Sequence, residues 1–188
     1  MKRSTITMLL APSILIGVLV LSGCLARRPE PPRRHDCPSE SLLVDVSVFP
    51  DGTTASSPLM SLPDGGETSI AVEIGSQDIS VSQAVYPFQR PEGAEARFAD
   101  ELDRINKVYA EMVPVDLSHH SLVADRYDFR CSETRTQPRC FYLARYDNFY
   151  IDLILRTSSL DISKDVLVPV IQDIDRRMIS CFEEHPLP

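Results

Sequence analysis

Arg126, Arg130, Arg145 and Arg156 recur through three strand-like runs, with Asp128 and Asp152 among them and Tyr142, Tyr146 and Tyr150 alongside. Guanidinium groups grip carboxylate or phosphate through paired hydrogen bonds, and phenol rings offer flat, amphipathic faces. On neighbouring strands such a set would form a recognition rim for an anionic or planar ligand. The plainer outcome is a ladder of cross-strand charge pairs, each worth a few tenths of a kcal/mol. His119 and His120, with Asp116 and Asp125 nearby, have the residue types of a metal site. Adjacent side chains on an extended chain point to opposite sides, so one ion rarely takes both histidines, and the pair reads as solvated loop. Serine, histidine and aspartate are all present, but no GxSxG elbow accompanies them. Glu183-Glu184 falls in a last helical turn, and Gly65-Gly66 reads as a turn rather than a phosphate loop. The sequence therefore nominates no catalytic set, no metal and no cofactor.

The most informative chemistry lies at the N-terminus. Lys2 and Arg3 precede a 14-residue apolar run, Met8 to Leu21, broken only by Pro12, Ser13 and Gly17. That is the length of a signal-peptide core, whereas a bilayer-spanning helix needs about 20 apolar residues. Leu21-Ser22-Gly23-Cys24 follows directly. It resembles the lipobox of bacterial lipoproteins, in which a branched apolar residue and two small residues precede an invariant cysteine. The resemblance implies that residues 1–23 are a signal peptide, that the Cys24 thiol carries a diacylglyceryl group, and that the new N-terminus is acylated. Two or three acyl chains, at roughly 0.8 kcal/mol per buried methylene, hold a protein on a membrane essentially permanently. Leu25 rather than Asp follows the cysteine, which implies, in a host with two membranes, no inner-membrane retention signal. The expected address is the extracytoplasmic face of a membrane, at the cell surface or in the periplasm.

Residues 24–36 then read as the lipidated cysteine and a tether. Pro29, Pro31 and Pro32 alternate with Arg27, Arg28, Arg33 and Arg34, a composition that favours an extended backbone. At about 3.1 Å per residue, positions 25–36 reach roughly 37 Å. The four arginines either lie against anionic lipid head groups, at about 1 kcal/mol each, or are simply solvated. Beyond them the charge reverses. Of 19 basic and 27 acidic residues, Lys2, Arg3, the four tether arginines, Glu30 and Asp36 fall before residue 37, leaving 13 basic against 25 acidic. A surface so acidic argues against nucleic acid as a partner. Residues 37–188 have the length of one domain with a single core.

With Cys24 set aside, Cys37, Cys131, Cys140 and Cys181 remain, an even number in an exported chain, which reads as two structural disulfides. Cys131 and Cys140 flank a short polar segment between strand-like runs and are expected to pair across a hairpin. That leaves Cys37 for Cys181, tying the end of the tether to the last helix. The first bond closes a short loop, worth roughly 2 to 3 kcal/mol in the chain-entropy model, and the second should be worth more.

The elements that would position these residues follow from periodicity. Ser41 to Phe49 is a strand or a short helical turn, and Pro50 to Gly66 is loop. Glu67 to Gly75 and Ile79 to Phe88 alternate apolar and polar residues as a hairpin. From Pro91, the spacing of Ala94, Phe98, Leu102, Ile105, Tyr109 and Met112 predicts an amphipathic helix. Leu122 to Cys131, Arg139 to Tyr146 and Phe149 to Thr157 are strands, with Asp147-Asn148 as a two-residue turn. The middle strand is apolar on both faces and should be covered on both sides. Lys164 to Glu184 closes the chain as a helix capped by Ser163, with Pro169 demanding a kink or a later start. The fold class is α+β: an antiparallel sheet of about five to six strands with two main helices packed on it. This element order resembles the PsbP-like sandwich domains, some of which occur on bacterial lipoproteins. The likeness is one of architecture and assigns no residue roles.

These readings combine into a membrane-anchored extracytoplasmic lipoprotein whose domain binds or scaffolds another envelope component without catalysis. Its partners are the membrane, through the lipid anchor, and an envelope protein or small ligand. The alternative is a small envelope hydrolase or metal-dependent enzyme whose site is assembled from residues distant in sequence.

Overall fold

A computed structural model of the chain describes residues 34–187 apart from 52, 57–58, 61–67, 75–78, 110–111, 117–120, 122, 133–138 and 157–159. The signal segment, Cys24, most of the tether, and His119 with His120 lie outside the described residues. No helix among the described residues is long and apolar enough to cross a membrane.

Among the described residues eight strands form one antiparallel sheet: β1 (Thr53–Ala55), β2 (Leu59–Met60), β3 (Thr68–Ile74), β4 (Ile79–Pro87), β5 (Met112–Pro114), β6 (Arg126–Ser132), β7 (Arg139–Tyr146) and β8 (Phe149–Arg156). Their spatial order is β1-β3-β4-β8-β7-β6-β5, with β2 also paired to β3. Five of them run for seven residues or more, which matches the strand count expected from alternation. The other three lie at or beside the sheet edges and are too short to carry a period. Two of these, β1 and β2, fall within the segment expected to be loop. The third, β5, takes Met112 out of the expected helical stripe.

The hairpin between β7 and β8 turns at Asp147-Asn148, as its composition suggests. Asp147 takes φ 50°, in the left-handed region that aspartate tolerates better than most residues. Tyr146 then stands opposite Phe149, and this register carries back to Arg139 opposite Arg156. Strand β8 also pairs along its whole length with β4, so it joins the β3–β4 hairpin to the β5–β8 meander.

Helix α1 (Pro91–Val108) begins at the proline, whose missing N–H costs nothing there. It buries Ala94, Phe98, Glu101 and Ile105 against Ala84, Tyr86, Phe141, Leu143 and Tyr150. It ends at Val108. Tyr109 and Met112 still pack on that same apolar cluster, so their spacing reported burial correctly and helix length wrongly.

Helix α2 (Leu160–Glu184) covers the opposite face with Val166, Leu167, Val170, Ile171, Ile174, Met178 and Cys181. It starts before Ser163, which is therefore an internal residue rather than its cap. It also runs through Pro169, where an internal proline costs about 3 kcal/mol, a loss that the burial of seven side chains outweighs. Residues Ser39–Leu42 and Val46–Val48 form 3-10 turns in the same layer. Buried Gln83 fixes that segment to the sheet: its Oε1 accepts from Val44 N at 2.7 Å and its Nε2 donates to Leu42 O at 2.9 Å. The sheet is therefore covered on both sides, and β7 faces both cores. Cys140, Tyr142 and Ala144 point toward α2, while Phe141 and Leu143 point toward α1.

Both disulfides connect as expected. Cys131 and Cys140 stand directly opposite one another on β6 and β7, with Cα atoms 4.0 Å apart. Cys37 joins Cys181 of α2 with Cα atoms 5.8 Å apart, closing a sequence separation of 144 residues. The chain-entropy model assigns a loop of that length about 5 kcal/mol, against about 2.6 kcal/mol for nine residues.

Candidate recognition surface

The sheet register decides which of the singled-out side chains share a face. Across β6, β7 and β8, Arg126 aligns with Arg145 and Tyr150, Asp128 with Leu143 and Asp152, and Arg130 with Phe141 and Ile154. Arg126, Arg130, Arg145, Tyr150 and Arg156 therefore belong to the α1 side. Tyr142 and Tyr146 occupy the other side, fully buried under α2. A single rim combining all three tyrosines with the arginines does not form. Alternation along β7 separates Arg145 from both of its tyrosines.

The arginines themselves are engaged within the molecule. Arg126 donates from Nη1 to Glu95 of α1 at 2.6 Å, and its guanidinium lies 4.5 Å from the Phe98 ring centre. Arg145 stands between Glu95 at 3.4 Å and Asp125 at 3.3 Å. Arg130 grips Asp128 with two hydrogen bonds of 2.6 and 3.1 Å and reaches Asn106 of α1 at 2.8 Å. The bond to Asp128 pushes the Arg130 pKa up. Arg139 donates to the Tyr109 hydroxyl at 3.2 Å, and Arg156 is exposed at the strand end. These pairs bolt α1 to β6 and β7. An incoming anion would have to displace a resident carboxylate from each of Arg126, Arg130 and Arg145.

Beneath α1 lies a polar cluster centred on Tyr150. Tyr150 is fully buried, its ring edge-on to Phe98 at 6.4 Å and tilted against Tyr86 at 5.4 Å. The Arg97 guanidinium rests 4.8 Å from the Tyr86 ring centre and 5.9 Å from that of Tyr150. Glu101 is buried beside them and paired with Arg104, whose pKa rises because of that bond. The Tyr150 hydroxyl has no hydrogen-bond partner among the described residues. Burial pushes its pKa up, and the Asp152 and Glu101 carboxylates add to the effect. The signal for this cluster was in the sequence: Glu101 lies seven residues after Ala94, in line with the buried stripe.

On the α2 side, Asp175 accepts from Ser121 Oγ at 2.8 Å and from the Tyr146 hydroxyl at 2.9 Å. Ser121 Oγ in turn accepts from Ala124 N at 2.9 Å, so it caps the turn leading into β6. This serine is already bound to a carboxylate and a backbone amide, an arrangement that serves a turn rather than nucleophilic attack. Asp116 and Asp125 are both exposed, and Asp125 is bound to Arg145 and to the Asp147 amide. Among the described residues no group of three or more His, Cys, Asp or Glu side chains is placed to hold a metal ion.

A third region lies around His35, between the β7–β8 turn and the end of α2. His35 donates its backbone N–H to Asn148 Oδ1 at 2.9 Å, and its Nδ1 lies 2.6 Å from the His185 carbonyl. Its ring stacks on Phe182 at 4.1 Å. Next to this clasp, Pro38, Ser41, Arg177, Ser180, Cys181, Glu184 and His185 line an open groove of about 290 Å³.

No family model matches the chain, and no curated protein matches it. Among solved structures it is similar to the extracellular domain of PknH from Mycobacterium tuberculosis, at 13% sequence identity over 73% of this chain and 94% of that one, with a TM-score of 0.47.

Proposed function

We propose that the chain is a lipid-anchored, extracytoplasmic protein whose acidic α+β domain binds or scaffolds another component of the cell envelope without catalysing a reaction. The observation that carries this reading is the cysteine pairing. Cys37 with Cys181 and Cys131 with Cys140 account for four of the five cysteines, leaving Cys24 as the odd one. Paired cysteines belong to an oxidising compartment, and an odd cysteine behind a short apolar run and two small residues is the acylation position of an exported lipoprotein. The polar side chains of the α1 face and the Ser121–Asp175 pair hold elements together, which supports a structural rather than a catalytic use of those groups.

Intact mass analysis of the full chain extracted from membranes tests the anchor. The expected species begins at Cys24 and carries the added mass of two or three acyl chains, and Cys24→Ala abolishes both the cleavage and the acyl mass. A native species that retains residues 1–23 with an unmodified thiol overturns the reading. For the binding role, cross-linking in intact cells should recover the same defined neighbour through the acidic domain in repeated preparations. Turnover of a small ester, glycoside or phosphoester by the purified chain would favour an enzyme instead.

A further inference from the structure

The two disulfides differ in what can reach them. Cys131 and Cys140 are fully enclosed between the sheet and α2. Cys37 and Cys181 keep 8% and 6% exposure, and Cys181 also lines the open groove of about 290 Å³. Exchange requires a thiolate to approach a disulfide sulfur directly, so access through a groove decides both which bond reacts and which sulfur is struck. Arg177 and His185 also line the groove, as does Glu184, whose carboxylate accepts a hydrogen bond from Ser180 Oγ at 3.0 Å.

We propose that Cys37–Cys181 is a thiol–disulfide exchange site, addressed through this groove at Cys181 Sγ by a dithiol reductant, while Cys131–Cys140 is inert in the folded protein. In the first step the reductant's thiolate forms a bond to Cys181 Sγ. The Cys37–Cys181 bond breaks, and its electron pair leaves with Cys37 Sγ, which takes a proton from water. The second thiol of the same reductant, as its thiolate, then attacks the mixed disulfide and expels the Cys181 thiolate, which is likewise protonated. The protein disulfide is reduced to two thiols and the dithiol is oxidised to a disulfide, so the balance closes. The His35 clasp survives this step: the bond to Asn148, the contact with His185 and the stack on Phe182 still hold the segment against α2. Reduction therefore unfastens the only disulfide joining the start of the domain to its last helix, without requiring the domain to unfold.

The test uses the full chain in non-denaturing buffer, with dithiothreitol as the dithiol and glutathione as a monothiol whose mixed disulfide is trapped by alkylating the freed cysteine before it can re-close the bond. After timed alkylation and peptide mapping, Cys37 and Cys181 should become labelled at least ~10-fold faster than Cys131 and Cys140, at a rate proportional to thiol concentration. The glutathione adduct should sit on Cys181. Ser180→Leu, which puts a larger side chain in the groove, should slow the reaction ~5-fold or more with the fold intact by circular dichroism. Simultaneous opening of both disulfides, a glutathione adduct chiefly on Cys37, or an unchanged rate in Ser180→Leu would each overturn the proposal.

Discussion

Tyr146 and Tyr150 are both fully buried, yet Tyr→Phe should change stability in opposite directions at the two positions. The Tyr146 hydroxyl donates to the buried carboxylate of Asp175 at 2.9 Å. Deleting it removes a hydrogen bond to a charged group, worth about 1.5–3 kcal/mol. The Tyr150 hydroxyl is buried with no partner among the described residues, a state that costs about 1–3 kcal/mol. Tyr150→Phe removes that cost while its ring keeps the contacts with Phe98, Tyr86 and the Arg97 guanidinium. The expected result is a gain of about 1 kcal/mol or more at Tyr150 and a loss of about 2 kcal/mol at Tyr146, a gap of roughly 3 kcal/mol. With a urea m-value of about 2 kcal/mol/M, the two unfolding midpoints should stand roughly 1.5 M apart on either side of the parent. Urea unfolding followed by far-UV circular dichroism reads this directly, and unchanged slopes establish that only stability moved. A Tyr150→Phe midpoint lower than the parent by 0.5 M or more would refute the reasoning, because it would mean that the hydroxyl has a partner.

Two further perturbations follow from the same geometry. Asp147 is held at a pKa above its ordinary value, chiefly by burial, with Asp125 adding to the rise and His35 and Arg145 opposing it. A carboxyl raised in the folded state is penalised while ionised, so the parent should gain stability as pH falls through the folded value toward the unfolded one near 3.8. Asp147→Asn keeps the left-handed turn, and it should be more stable than the parent at pH 7 and lose that slope. Melting curves from pH 7 to 4 that run parallel for the two proteins would sink the claim. At Gly93, an added Cβ would lie 2.8 Å from Phe88 Cδ1 and 3.2 Å from Phe88 Cβ. The whole ring would have to move rather than a flexible tip, so Gly93→Ala should lose about 1 kcal/mol despite a helix-propensity gain of similar size. Pairing it with Phe88→Leu should recover the loss, and the urea midpoint of the double variant measures that.

The sequence spoke most clearly where two constraints coincided. Strands β7 and β8 alternate and share a turn that aspartate and asparagine suit, and β7 carries apolar residues on both faces, so their bounds and the covered place of β7 could be read together. The cysteine pairing was legible because Cys131 and Cys140 bracket one hairpin and leave a single remaining choice. Strands β1, β2 and β5 were not legible, because two or three residues show no period and their pairing is set by the longer strand beside them. The start of α2 was missed because Ser163 looks like a cap, although Ser158 and Ser159, just before Leu160 in the sequence, are cap residue types of equal strength. The candidate rim failed for a reason that was available: Tyr142, Ala144 and Tyr146 share one parity on β7, and Phe141, Leu143 and Arg145 the other.

Covering a sheet on both faces explains where this molecule's polar groups are found. Each helix brings charge into a layer that water leaves, so every buried polar group needs a partner or exacts a cost. Asp173 is answered by the Asp45 amide, Arg176 and Arg177; Gln83 by the Leu42–Val44 backbone; Glu101 by Arg104. Where the partner comes from another element, as at Asp173 with Asp45 and at Gln83, the same bond also fixes the N-terminal segment to α2 or to the sheet. The arginines of the α1 face follow the same logic, and their charge pairs are the plainer of the two outcomes that their sequence spacing allows. Under such a rule the Tyr150 hydroxyl is one exception among the described residues, and the Cys37–Cys181 groove is a place where the α2 layer opens to solvent.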